Sequence, residues 1–167
     1  MYNIKILGKD NLSDVYEIAK RSFYHFRKNE FHVWDKDFIL KKLSNLFMEG
    51  YCYGVFKKKE CYGFLIATKF PSLYNGSHSQ LVEYGIQPDP RHSKYTQSKV
   101  FLMLLDKYEL ISYETGCALC GMASSPHFDI SRLLSKRNYC VYHTVYVKRS
   151  VENGLGLIGR GSCKKTS

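Results

Sequence analysis

The chain has 167 residues, a net charge of +10 and 15% aromatic residues, among them 14 Tyr and 10 Phe. That length supports one domain with a proper core rather than two, and the aromatic content excludes a wholly disordered chain. The positive charge points to an acidic partner, whether nucleic acid, a phosphate-rich cofactor or an anionic surface; the plainer reading is scattered lysines that keep the protein in solution.

Residues Asn3 to Leu7 read as a first strand, followed by a turn at Gly8-Lys9-Asp10-Asn11. Asp10 or Asn11 can cap the next helix, whose apolar stripe is Leu12, Val15, Ile18, Ala19 and Phe23. The polar and aromatic stretch from Arg21 to Glu30 continues into a linker or a bent helix end. A second helix is expected from Asp35 to Glu49, with Phe38, Ile39, Leu43, Leu46 and Phe47 on one side and Gly50 as its stop. YCYGVF and CYGFLIATKF then form a hairpin around Lys57-Lys58-Lys59-Glu60. That basic run, closed by Glu60, reads as a solvated turn rather than a nucleic-acid patch. Pro71 to Gln80 is a loop with turn chemistry at Asn75-Gly76.

Leu81 to Ala123 organises the rest. It reads as a strand (Leu81 to Gln87), a loop (Pro88 to Ser93), a helix of about five turns, and a second strand from Cys117. The helix carries Val100, Leu102, Met103, Leu104, Leu105, Leu110 and Ile111. A βαβ unit of this kind places two neighbouring strands parallel and opens its loop toward a helix N-terminus. Unpaired N–H groups and the helix dipole favour an anion there, and the loop supplies Arg91, His92 and Lys94. Simple alternation puts Val82, Tyr84 and Ile86 on one face of the strand, with Leu81, Glu83 and Gly85 on the other. Ser124-Ser125-Pro126 leads to a short helix near Asp129 to Arg137, and YCVYHTVYVK to a last strand or pair of strands.

The order is thus β-α-α-β-β-β-α-β-α-β, an α/β (mixed α+β) arrangement with a mixed sheet and helices on both faces. The domain is expected over residues 1–149, with a glycine-rich basic tail at 150–167. No internal repeat is visible. The six cysteines at 52, 61, 117, 120, 140 and 163 follow no signal-peptide pattern, so reduced thiols in a cytoplasm are expected. Cys117 and Cys120 form a C-x-x-C that a strand would point to opposite faces, and no second pair stands at zinc-site spacing, so no metal is expected. No apolar run approaches the ~20 residues of a membrane span.

Three ordered patterns resemble the GCN5-related N-acetyltransferase (GNAT) superfamily, and together they cover residues 1–148. The first is the hairpin Tyr53-Gly54-Val55-Phe56 … Glu60-Cys61-Tyr62-Gly63-Phe64-Leu65-Ile66-Ala67. The second, Ile86-Gln87-Pro88-Asp89-Pro90-Arg91, looks like the end of the family's fourth strand and the start of its pyrophosphate loop. The third, His127-x-x-Ile130-x-x-Leu133-Leu134-x-Lys136-x-Asn138-Tyr139, is similar to N-x-x-A-x-x-L-Y-x-K-x-G-F. The resemblance implies a mostly antiparallel GNAT-like sheet and an enzyme that uses acetyl-CoA to acetylate an amine on a small molecule or protein. Where the family loop reads [Q/R]-x-x-G-x-[G/A], this chain reads Arg91-His92-Ser93-Lys94-Tyr95-Thr96, so Lys94 and Thr96 stand at the glycine positions. Leu134 stands at the tyrosine that in many members protonates the leaving thiolate, and His127 at the asparagine.

The resemblance assigns cofactor contacts to Ile86 and to Arg91, His92, Ser93, Lys94, Tyr95 and Thr96, with the strand after Ser79 offering backbone groups to the pantetheine arm. Glu83 falls where many members place a base, against the reading of an ordinary strand glutamate. His127 is a candidate acid in place of the missing tyrosine, against the reading of a helix cap. Tyr139, Tyr142 and Tyr146 are further candidate acids, and Phe23, Tyr24, Phe26, Phe31 and Trp34 fall in the acceptor region, where core packing explains most of them. The altered loop and glycine-rich tail also resemble divergent GNAT-like phage proteins, some of them virion components. That implies an alternative: a catalytically inactive binding or structural protein, as a homodimer or with a virion partner, in the host cytoplasm or the virion. Binding to nucleic acid rests on charge alone.

Overall fold

The computed structural model describes residues 1–26, 34–71, 76–122 and 130–140. Among them a five-stranded sheet runs in the order β1-β2-β3-β4-β5. Its strands are β1 (Asn3–Ile6), β2 (Tyr51–Lys57), β3 (Glu60–Pro71), β4 (Ser79–Pro88) and β5 (Leu119–Gly121). The first four are antiparallel neighbours, and β5 joins β4 in parallel. The helices are α1 (Leu12–Phe26), α2 (Lys36–Glu49), α3 (Lys94–Glu114) and α4 (Ser131–Lys136). This is the expected mixed sheet with helices on both faces, and α3 is the crossover of the expected βαβ unit.

The two faces bury separate cores. On one, Val15, Ile18 and Leu43 from α1 and α2 meet Cys52, Phe56, Phe64 and Ile66 of the hairpin. On the other, Val100, Phe101, Leu104, Leu105, Tyr108 and Ile111 of α3 cover Val55, Leu65, Ala67, Leu81 and Ile86, with Ile130 and Leu134 beside them. The i, i+4 and i, i+7 spacing of the α3 set turns one stripe inward along about three turns. Leu102 and Leu110, expected among its apolar positions, lie 36% and 44% exposed on the other side of the helix.

Local chemistry sets the boundaries. Asp35 caps α2 by accepting the Phe38 amide at 3.0 Å. Phe38 itself is 60% exposed, which removes it from the expected buried side. Gly50 ends α2 because a Cβ there would lie 2.8 Å from Leu46 O and 2.9 Å from Ala67 O. Past α4, Asn138 adopts φ 64°, the left-handed conformation asparagine tolerates, and the Tyr139 amide returns to Leu134 O at 3.0 Å. That explains an asparagine where the GNAT pattern writes glycine. Arg137 then fastens α4 to α3 through Asp106 at 2.7 Å and Glu109 at 2.9 Å.

Cys117 precedes β5 rather than lying in it, so Cys117 and Cys120 both pack on the α3-side core instead of facing opposite ways. Among the described residues no cluster of His, Cys, Asp or Glu could hold a metal ion, and no helix is long and apolar enough to cross a membrane. The expected last strand beyond Cys140 and the tail lie outside the described residues, as do His127, Phe31, Tyr142 and Tyr146.

Candidate functional site

The parallel pairing of β4 and β5 is short: Gln80, Leu81 and Val82 oppose Leu119, Cys120 and Gly121. β5 ends there, whereas β4 runs on to Pro88. Among the described residues, β4 from Glu83 onward therefore has a strand neighbour only on its β3 side. Unpaired strand edges present backbone N–H and C=O groups to whatever lies alongside.

A bulge falls at the same place. Ile66 opposes Gly85 and Ala67 opposes Glu83, leaving Tyr84 as the extra residue. One inserted residue reverses the in–out alternation beyond it. Leu81 and Ile86, expected on opposite faces, consequently both enter the α3-side core. The Ile86 side chain is buried, so only its backbone is available to a ligand. Tyr84 is half-exposed, with the Lys42 ammonium of α2 5.0 Å from its ring centre. Glu83, half-buried opposite Ala67, stands at the bulge itself.

Sequence reasoning missed Tyr108. Its hydroxyl lies 2.9 Å from Leu81 O and 2.5 Å from Gly121 O, bridging β4 and β5 at the end of their paired segment. Burial pushes its pKa well above the ordinary tyrosine value; the nearby Cys120 and Glu83 push the same way, and the Glu83 backbone amide pulls back weakly. The hydroxyl is thus held neutral. The signal was its place in the α3 stripe, four residues after Leu104 and three before Ile111.

At the far end of β4 the chain turns into the loop. Gly63 permits this, since a Cβ would lie 2.7 Å from Val100 Cγ1 and 2.8 Å from Gln87 O. Asp89 keeps its amide on Tyr62 O at 2.8 Å. His92 stacks on the Tyr62 ring at 3.9 Å and 5°. Ser93 caps α3, its hydroxyl accepting the Thr96 amide at 3.3 Å. Gln97 Nε2 reaches back to His92 O at 2.6 Å and Pro90 O at 3.3 Å. Lys94 and Tyr95 occupy the first turn, where helix geometry offers their amides no intrahelical partner, and both side chains are exposed. The structure so brings Arg91, His92, Ser93, Lys94, Tyr95 and Thr96 together around one helix N-terminus. Arg91 differs from the expected cation for a ligand: its guanidinium is engaged by Asp89 at 2.7 Å and approaches Glu60 at 3.6 Å.

No protein-family model and no curated protein matches the chain. Solved structures do. An aminoglycoside N-acetyltransferase AAC(6')-Iy in complex with CoA superposes with TM-score 0.68 at 16% identity, over 90% of this chain and 95% of that one. A predicted acetyltransferase from Clostridium acetobutylicum, with acetyl-CoA, gives 0.70 at 10% identity over 89% and 96%. An aminoglycoside acetyltransferase from an uncultured soil metagenomic sample, in complex with sisomicin, gives 0.60 at 14% identity over 89% and 97%. The chain has the fold of these acetyltransferases.

On the α1 side, Phe23 and Trp34 lie 5.2 Å apart, Tyr16 and Trp34 5.6 Å apart, and Trp34 Nε1 donates to the Tyr16 hydroxyl at 3.0 Å. Tyr24, in contact with Phe23, is 61% exposed. Near β5, Tyr139 receives a hydrogen bond from Cys120 Sγ at 3.6 Å, and burial pushes its pKa far up. Leu134, at the family's tyrosine position, is buried in the α3-side core.

Proposed function

We propose that the protein is an N-acyltransferase that moves the acetyl group of acetyl-CoA to an amine. The observation that carries this is the combination of a β4 edge opened at a bulge with a capped helix N-terminus at the end of the same strand. An extended pantetheine arm hydrogen-bonds an open strand edge in the manner of an added strand, while a pyrophosphate suits first-turn amides. The residues fit that cosubstrate. The edge from Tyr84 to Gln87 receives the arm, the Lys94 and Tyr95 amides and the Lys94 ammonium receive the phosphates, and Ser93 and Thr96 hold the turn. Lysine at the glycine position adds a point charge where the family relies on close backbone approach.

Bound acetyl-CoA supplies an activated acetyl thioester. The chain then has to deprotonate the amine, polarise the carbonyl and leave a proton for the thiolate. Glu83, at the bulge where the edge opens, takes the amine proton directly or through water. The C–N bond forms as the C–S bond breaks, and the departing sulfur collects a proton. Leu134 cannot give one, and Tyr139, whose pKa burial pushes far up, gives its proton poorly, so His127 or solvent water supplies it. The acceptor is an amine-bearing small molecule or protein; the aromatic cluster at Phe23, Tyr24 and Trp34 borders its approach.

Release of CoA thiol from acetyl-CoA across a panel of amines tests the reading, with Glu83→Gln as control. Acceptor-dependent release that falls at least tenfold in Glu83→Gln is expected. Release that no amine stimulates, or that ignores Glu83, refutes it.

A second reading has its own support: glycine positions filled by Lys94 and Thr96, and an apolar Leu134 at the usual donor. On that reading the fold persists as a binding or structural protein, as a homodimer or in a phage virion, with no acetyl-CoA turnover.

A further inference from the structure

Asp89 carries a fully buried carboxylate at the first position after β4. Five hydrogen bonds converge on it. Arg21 donates from Nε at 3.1 Å and Nη2 at 2.9 Å, and Arg91 donates from its backbone amide at 3.1 Å, Nε at 2.9 Å and Nη2 at 2.7 Å. Two outer carboxylates complete the group: Glu17 lies 3.6 Å from Arg21, and Glu60 lies 3.6 Å from Arg91. Two guanidinium groups thus face three carboxylates. A loop that attracted phosphate through Arg91 would not surround that side chain with acids.

The same contacts fix the loop's shape. Arg21 braces it from α1, sixty-eight residues away in sequence. Tyr62 supports His92 from β3, and Gln97 holds the Pro90 and His92 carbonyls from α3. The first turn of α3, with Lys94 and Tyr95, stays exposed beside the half-exposed Arg91 side chain.

We infer that Asp89 and Arg21 are positioning residues for the phosphate loop: their buried ion pair holds Arg91 to Ser93 so that the first-turn amides of α3 face the pyrophosphate. Bidentate guanidinium–carboxylate pairs specify orientation as well as attraction, which suits them to the task glycine's backbone freedom performs elsewhere. Arg91 then acts through Asp89 and Lys94 meets the phosphates directly. The inference rests on the acetyl-CoA reading.

The test is calorimetric titration of the full chain with CoA at 25 °C for wild type, Arg21→Gln, Arg21→Lys and Asp89→Asn, with melting temperature and hydrogen exchange of the 91–97 amides measured on each. The expected result is a CoA Kd raised at least fivefold in Arg21→Gln and at least tenfold in Asp89→Asn. Exchange should quicken in 91–97 while the 100–108 amides stay protected. Arg21→Lys, which keeps the charge, should recover part of the affinity. Breaking a buried pair can unfold a protein; if Asp89→Asn does not fold, Arg21→Gln decides. Variants that melt earlier yet bind CoA as wild type does would overturn the inference and leave acetyl-CoA binding intact. Wild type that binds no CoA would overturn both together.

Discussion

Tyr108→Phe removes one oxygen and keeps the ring. In the native protein that oxygen lies 2.9 Å from Leu81 O and 2.5 Å from Gly121 O, inside a side chain with no solvent exposure. A hydroxyl has a single proton, so it serves one carbonyl at a time, and Leu81 is itself fully buried. Leaving a buried acceptor unsatisfied costs about 1–3 kcal/mol, with about 2 kcal/mol a fair central value. For a chain of this size that corresponds to a melting temperature lower by about 4–8 °C. Urea unfolding followed by far-UV circular dichroism should show the midpoint fall with the slope unchanged, since the exposed surface is the same. A loss below about 0.5 kcal/mol would refute the reasoning, because the hydroxyl would then not bridge the strands in solution.

Arg91→Ala and Lys94→Ala should each weaken acetyl-CoA binding severalfold with the circular dichroism spectrum unchanged; unchanged affinity in both would remove the loop from the site. Lys94→Gly is more pointed, because improved binding would show a loop that lost its glycine, and lost binding a lysine that replaced it. For Asp89, burial alone would raise the pKa, but the hydrogen bonds from Arg91 and Arg21 outweigh it and hold the carboxyl below the usual range. A depressed folded-state pKa gives stability that is complete above about pH 4 and lost as pH falls through the folded value. The acid side of a melting-temperature profile should therefore be flatter in Asp89→Asn than in wild type. Burial pushes the thiols of Cys52 and Cys61 up to about 11, so in native protein at pH 8 both should resist alkylation while exposed Cys140 is labelled, as peptide mapping would show.

The elements were legible wherever local chemistry decides them. The start of the second helix near Asp35, the Gly50 stop, the hairpin and the βαβ order are properties of a few adjacent residues, and all recur in the structure. The candidate site was legible as a region: the loop from Arg91 to Thr96 does gather at the N-terminus of α3. Two things were hidden. A bulge depends on how β3 and β4 register, which no alternation within LVEYGIQ reveals, so Ile86 was placed on the wrong face. The partner of Arg91 was hidden as well, since Asp89 gains its second guanidinium from a helix sixty-eight residues earlier. Phe38 was misplaced because helical periodicity counts apolar residues without knowing how wide the covered face is.

The most direct measurement is calorimetric titration of the purified protein with acetyl-CoA and, separately, with CoA, at low and moderate salt. Loop amides and an open strand edge give contacts that salt screens only in part. The account predicts micromolar binding of both that survives moderate salt. No heat of binding with either would contradict it and leave the acetyltransferase fold serving another purpose.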